Sequence, residues 1–259
     1  MVFDVDGVLV DTDASYVEAV VRTARWVLGD RAGGIDRDVV KLFKRLGDWN
    51  NDWDLSYGLY CWRIGSPELP AEAAASLSLG ELRGRAGPEA VLSYDEVRGV
   101  FEEHYNGTAR AVERFGAEPR VNVVHRLADT ETIQLSDGLL AELRVLGVTK
   151  FGVVTGRTLD DWEQVRARIP LPPETVVATD EDGRKPDPAA LRAVVDRLGA
   201  VDFVSVGDTL NDLRMVQSLG RGRAVMLCPA EDEASYRAAG CRLFIRRLAD
   251  LPELVRSLR

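Results

Sequence analysis

Apolar and polar positions follow two different rhythms along this chain. From Ser15 onward, Tyr16, Ala19, Val20, Thr23 and Val27 recur at spacings of three and four, the period of one helix face. Residues 38–46 and 53–62 continue that rhythm as shorter helices. The stretch 65–88 is rich in Ala, Gly, Pro and Ser and reads as irregular chain. Ser93 with Glu96 is a capping-box signature ahead of Val97, Val100, Phe101 and Tyr105. A further helix is expected at 111–115. Beyond residue 130 the rhythm changes. Short apolar runs at 151–154, 175–178, 203–206, 224–227 and 243–245 read as strands. Helices are expected at 139–146, 159–168, 188–198, 209–219, 232–239 and 251–258. Strands alternating with helices imply a parallel sheet covered on both faces. The predicted class is therefore α/β. Residues 1–12 and 130–259 form its core, and an all-helical domain of residues 13–129 is inserted into it.

Composition adds boundaries. A chain of 259 residues can bury a substantial core as one large or two modest domains. Hydrophobic residues at 46% and charged residues at 29% are ordinary for a globular protein. The formal net charge of -9 argues against non-specific binding to nucleic acid or an anionic membrane. A phosphate can still be held locally, by a metal and a few well-placed cations. Cys61, Cys228 and Cys241 are odd in number and lack metal-site spacing. Inert thiols in a reducing compartment, the cytoplasm, are expected. No apolar run approaches the ~20 residues that span a bilayer. A charged n-region followed by an apolar h-region is missing as well, so no leader is expected. The two histidines, His104 and His125, lie in or beside the helical insert. With no Cys or His cluster, zinc has no support, and both read as structural or solvent-facing.

The chemistry is concentrated at strand ends. In the opening MVFDVDGVLVDT, three apolar residues lead into Asp4, and Asp6 and Gly7 follow. Alternate residues of a strand face opposite ways. The two acids therefore meet only if the chain bends, which Gly7 permits. Two carboxylates in one small space are costly unless a cation sits between them or one holds a proton. Taken alone, the pattern is equally an acidic turn. Three later segments change that balance. FGVVTGR ends an apolar run in Thr155 and Gly156, GRKPDP places Lys185 before two prolines, and FVSVGDTLND sets Asp208 and Asp212 past another apolar run. Open α/β sheets bind ligands at this carboxyl rim.

In that order, these four segments resemble the motifs of the haloacid dehalogenase superfamily. The resemblance covers the first dozen residues and the part from about residue 130 onward, and it implies a Rossmann-like core. It makes Asp4 the nucleophile that carries an aspartyl-phosphate, and Asp6 the general acid and base. Thr155 and the Gly156 amide would hold a phosphate oxygen, and Lys185 would neutralise the phosphate. Magnesium would be bound by the Asp4 and Asp208 carboxylates and the Asp6 carbonyl. Asp212 would orient Lys185 or a metal-bound water, or else act as a plain first-turn acid of its helix. Outside the motif series, Lys185 reads as a solvated charge and Thr155 as a helix cap. Thr158 with Asp161 suits that capping role better. Asp11 and Thr12 read as loop or hinge residues. In this superfamily a helical cap inserted after the first motif closes over the active site and excludes water. A second domain with a separate role is the alternative for residues 13–129.

Within the superfamily, a second acid at Asp6 favours a phosphatase or a phosphomutase. Segment 41–58 holds Lys41, Lys44, Arg45, Asn50, Asn51 and two tryptophans. Lys44, Asn51 and Trp53 are its candidate substrate contacts. The plainer reading is an amphipathic helix followed by a turn in which Asn51 or Asp52 caps the next helix. The segment also resembles its counterpart in a branch of capped phosphatase-like proteins, some linked to histidine biosynthesis. Arg22 and Arg25 read as solvated. The expected activity is a cytoplasmic, magnesium-dependent phosphatase acting on a small phosphorylated metabolite. The alternatives are a phosphomutase of the β-phosphoglucomutase type and a non-catalytic binding protein that keeps the fold.

Overall fold

Strand β1 is only Val2–Phe3, yet both side chains are fully buried. Val2 packs into one apolar cluster and Phe3 into another, as alternate residues of a strand covered on both faces must. This computed structural model describes residues 1–46, 49, 51–116 and 118–258. It divides into two compact units, Met1–Asp11 with Thr132–Arg259, and Thr12–Glu131. The chain leaves and re-enters the first unit through a small antiparallel ribbon of β2 (Val10–Asp11) and β3 (Thr132–Ile133). Two residues per strand carry too little pattern to read from sequence.

The inserted unit is helical throughout its regular structure. One wide turn at Asp13–Val17 leads into α1 (Glu18–Leu28). Then come α2 (Arg37–Leu46), α3 (Asp52–Gly65), α4 (Ala71–Ala75), α5 (Leu79–Ala86), α6 (Tyr94–Asn106) and α7 (Thr108–Phe115). Val20, Phe43, Leu55, Leu59, Leu82 and Phe101 pack together at its centre. The expectation of irregular chain over 65–88 is overturned by α4 and α5. Ser78 and Glu81 form a reciprocal capping box that starts α5. A Cβ on Gly65 would lie 2.4 Å from the Ala86 backbone nitrogen. Gly65 serves close packing against the end of α5, where the composition alone suggested a loop.

The core unit resumes with α8 (Asp137–Val145), β4 (Gly152–Val154), α9 (Leu159–Arg166) and β5 (Val176–Ala178). It continues through α10 (Ala189–Arg197), β6 (Val204–Gly207), α11 (Leu210–Leu219) and β7 (Arg223–Leu227). It closes with α12 (Glu233–Ala238), β8 (Leu243–Ile245) and α13 (Leu251–Ser257). Six strands pair in parallel in the order β5-β4-β1-β6-β7-β8. Helices α8, α9 and α13 cover the face that buries Phe3. Helices α10 and α11 cover the face that buries Val2. This is the predicted α/β architecture. No described helix is long and apolar enough to cross a membrane.

Candidate active site

The site is built where the strand order reverses. β1 lies between β4 and β6, with Val2 in register with Gly152 on one side and Ser205 on the other. Asp4, Thr155 and Asp208 each follow the last residue of one of these strands. Backbone pairing carries on past the strand ends. The Asp4 N–H donates to the Val206 carbonyl at 2.9 Å, and the Thr155 N–H to the Ala178 carbonyl at 3.0 Å. Adjacent carboxyl ends at a reversal of strand order form the crevice where such sheets bind ligands.

Lys185 gathers the acids. Its Nζ lies 2.7 Å from Asp4 Oδ1 and 2.6 Å from Asp212 Oδ1. Asp4 Oδ1 also accepts from the Val5 N–H at 2.7 Å. Asp212 is held from its other side. Its Oδ2 accepts from the Thr209 hydroxyl at 2.7 Å and the Thr209 N–H at 3.1 Å, which closes the capping box of α11. Burial pushes the Asp4 carboxyl up to about 7, although Lys185 works in the opposite direction. Burial also lifts the Asp208 carboxyl well above the usual range, and Asp4 and Asp212 add to that. Burial disfavours the charge on Lys185, but Asp212 and Asp4 outweigh it and raise its pKa above the ordinary value.

These residues fit a divalent cation. Asp4, Asp208 and Asp212 each offer a ligand oxygen, and the three lie within 4.8 Å of one another. Three carboxylates facing one ammonium leave two negative charges, which one divalent ion balances. Asp208 Oδ1 is buried with no hydrogen-bond partner among the described residues, a cost that a bound cation removes. An all-oxygen donor set suits magnesium. Gly7 makes room for this group. It holds a positive φ of 75°, and a Cβ there would lie 2.0 Å from Asp208 Oδ2. The Tyr236 hydroxyl donates to the Asp208 carbonyl at 2.6 Å and steadies that loop.

The Asp6 carboxylate is directed elsewhere, to Arg157. Arg157 Nε and Nη2 both donate to Asp6 Oδ1, at 2.9 and 2.6 Å. The motif pattern does not single out Arg157. Its one signal is an arginine directly after Thr155-Gly156, a position where arginine is ordinarily solvated. Thr155 is buried, and its Oγ1 accepts the Arg157 N–H at 3.0 Å. Its own hydroxyl hydrogen is available to a ligand. Gly156 is exposed. Thr158 caps α9 through the Asp161 N–H, which frees Thr155 from that duty.

The three candidates of the helical unit are bonded within that unit. Lys44 Nζ lies 2.8 Å from Asp52 Oδ1. Asn51 Oδ1 accepts from the N–H groups of Trp53 and Asp54 and so caps α3. Trp53 Nε1 donates to Glu102 Oε1 at 2.6 Å, and the Arg98 guanidinium stacks over its ring at 4.4 Å. Asn50 lies outside the described residues. Both His104 ring nitrogens are buried without a partner among the described residues.

An open parallel sheet with acids and a lysine at its reversal point places the chain among the doubly wound α/β proteins, which bind ligands at that point. Within that class, residues 1–220 match the model of the haloacid dehalogenase-like hydrolases, and the chain belongs to this family. Similar solved structures include phosphatase Tt82 from Thermococcus thioreducens. It is 28% identical with a TM-score of 0.70, over 97% of this chain and 98% of that one. A putative phosphoglycolate phosphatase from Lactobacillus delbrueckii subsp. bulgaricus shares the fold. It is 18% identical with a TM-score of 0.59, over 98% of this chain and 96% of that one. Among curated proteins, imidazoleglycerol-phosphate dehydratase of Phytophthora nicotianae is 25% identical over 221 residues. The match covers 82% of this chain but only 40% of that protein. By family the chain is a haloacid dehalogenase-like hydrolase.

Proposed function

We propose that the chain is a magnesium-dependent phosphatase that hydrolyses a small phosphorylated metabolite through an aspartyl-phosphate on Asp4. The observation that carries this reading is Lys185 bridging Asp4 and Asp212 at 2.7 and 2.6 Å. A nucleophilic carboxylate needs a fixed cation beside it to receive a phosphoryl group, because the reaction is governed by positioning and charge neutralisation. Asp212, anchored by Thr209, keeps Lys185 in place. The Thr155 hydroxyl and the Gly156 amide hold a phosphate oxygen. An Asp4 oxygen bonds to phosphorus, the phosphorus–oxygen bond to the leaving group breaks, and Asp6 gives that oxygen its proton. A water then attacks the phosphorus of the aspartyl-phosphate and passes a proton to Asp6. The Asp4–phosphorus bond breaks, and phosphate and the original Asp4 are released. Asp4, Asp208 and the Asp6 carbonyl would hold magnesium, which would supply charge neutralisation at the phosphate oxygens.

The helical unit is inserted in the chain where the family carries its cap, and we assign it that role. The buried free cysteines Cys61, Cys228 and Cys241 suit a cytoplasmic setting. The curated relative's name concerns an imidazole-bearing phosphate, so imidazoleglycerol phosphate and related monoesters belong in a substrate panel with phosphorylated sugars, acids and amino alcohols. The first test is hydrolysis of p-nitrophenyl phosphate with magnesium, with chelator, and with magnesium restored. Activity is expected only in the first and third conditions. Asp4→Asn should remove turnover by several orders of magnitude at an unchanged melting temperature. A folded Asp4→Asn protein with near-normal activity, or activity indifferent to chelation, overturns the assignment.

A further inference from the structure

Arg157 is buried more deeply than the acid it binds. Its side chain is 2% exposed, against 32% for Asp6. The arginine backbone is pinned from both directions. Its N–H donates to Thr155 Oγ1 at 3.0 Å, and its carbonyl accepts the Asp180 N–H at 3.0 Å. Taking a guanidinium out of water costs several kcal/mol, and an ion pair of this kind rarely returns a net gain in stability. Stability alone is therefore a weak reason for this pair.

The bonding pattern suggests another reason. An arginine that only neutralises a carboxylate tends to engage both oxygens, fork to fork. Here Nε and Nη2 both converge on Oδ1 and do not divide between the two oxygens. A carboxyl group gives or takes a proton through one oxygen at a time. A planar, rigid fork fixed by its own backbone also removes the side-chain freedom of its partner.

We propose that Arg157 is the positioning residue for Asp6. By clamping Oδ1 it presents Oδ2 to the leaving oxygen in the first half-reaction and to the attacking water in the second. This rests on the proposed phosphatase reaction, with Asp6 as its acid and base. The proton moves from Oδ2 to the leaving oxygen as that oxygen separates from phosphorus, and a proton from water replaces it on Oδ2. Arg157 itself exchanges none. Because its N–H also engages Thr155, the clamp and the phosphate-binding hydroxyl are set by one residue.

The test uses the magnesium-loaded enzyme and two leaving groups. A simple alkyl phosphate needs its leaving oxygen protonated, whereas 2,4-dinitrophenyl phosphate does not. Arg157→Ala should lower kcat/KM for the alkyl ester roughly 10- to 100-fold and for the aryl ester by less than about threefold. Arg157→Lys keeps the charge without the fork, so it should show the same preference and guards against a variant that fails to fold. In an Asp6→Asn background, Arg157→Ala should change the alkyl rate less than about twofold, since residues that act as one are not additive. Guanidinium ion should partly restore Arg157→Ala and leave Asp6→Asn unchanged. Equal losses for both esters that follow the melting temperature, or full additivity with Asp6→Asn, overturn the role of Arg157 while the phosphatase reading stands. A native enzyme that cleaves neither ester, nor any phosphate of the panel, removes both.

Discussion

Asp212 divides its oxygens between two tasks. Oδ2 completes the α11 cap with Thr209, and Oδ1 meets Lys185. Both sequence readings of this acid, the first-turn acid and the orienter of Lys185, describe the same side chain. Asp208 differs, because its Oδ1 has no partner among the described residues. Magnesium affinity measured by calorimetric titration should thus fall much further in Asp208→Ala than in Asp212→Ala. Asp212→Ala should instead lose the cap, about 1 kcal/mol, and lower the melting temperature. Equal, undiminished affinity in both variants would remove Asp208 as a ligand. Gly7→Ala tests the same site from the backbone. It combines a positive φ with a Cβ aimed at Asp208 Oδ2. We expect about 1–2 kcal/mol of destabilisation and loss of the thermal shift produced by magnesium. A native magnesium response in the Gly7→Ala variant would show that the loop yields easily. At this scale Asp4, Thr155, Lys185 and Asp208 were legible because each follows an apolar run or a motif of fixed order. Arg157 was not, since its partner lies 151 residues away and only packing brings the two together.

Among the elements, caps were the most legible feature. Ser93 with Glu96 and Thr158 with Asp161 act as expected. Asn51 also caps its helix, by accepting from two backbone N–H groups. Asn51→Ala should cost about 1 kcal/mol of stability. Trp53→Ala should cost about 3 kcal/mol, because it vacates ring volume and leaves Glu102 short of a donor. Both variants should lower the rates for an extended native substrate and a small aryl phosphate by the same factor. A selective loss for the larger substrate, at an unchanged melting temperature, would make these residues substrate contacts. Helices α4 and α5 escaped the sequence reading because Ala and Ser serve equally as buried helix residues and caps or as loop, as Ala74, Ala75 and Ser78 do here. Only the partner surface decides, as Gly65 against Ala86 shows.

Over the molecule as a whole, pH should act on stability through His104. Burial, with Arg22 acting the same way and Glu103 and Glu18 opposing, pushes its imidazole down to about 4 from an ordinary value of 6.5. Between those values the unfolded chain binds a proton that the folded chain does not. The His104 contribution to stability is then complete above about pH 6.5, declines as pH falls through that window, and levels off below about 4. The limit of the loss is about 3 kcal/mol. Asp4, raised to about 7, and Asp208, raised likewise, slope the other way over the same range. The difference in unfolding free energy between the native protein and His104→Leu, followed by denaturant unfolding at a series of pH values, therefore isolates the His104 part and should change through this window. A difference that stays constant with pH would remove His104 from the effect.

Periodicity and motif order determined a great deal about this protein. The parallel α/β class, the helical insertion after the first strand and the acids and lysine of the rim all follow from local pattern. Apolar runs are short where a strand is buried on both faces, and helices carry their period over several turns. Tertiary structure alone decided which polar groups share a space. It set Lys185 between Asp4 and Asp212, turned the Asp6 carboxylate toward Arg157, and committed Lys44, Asn51 and Trp53 to bonds within their own unit. The physical reason is range. Helix and strand preferences and caps act over a few residues, so one segment reveals them. An ion pair depends on where two distant segments are packed, and on how much water that packing removes.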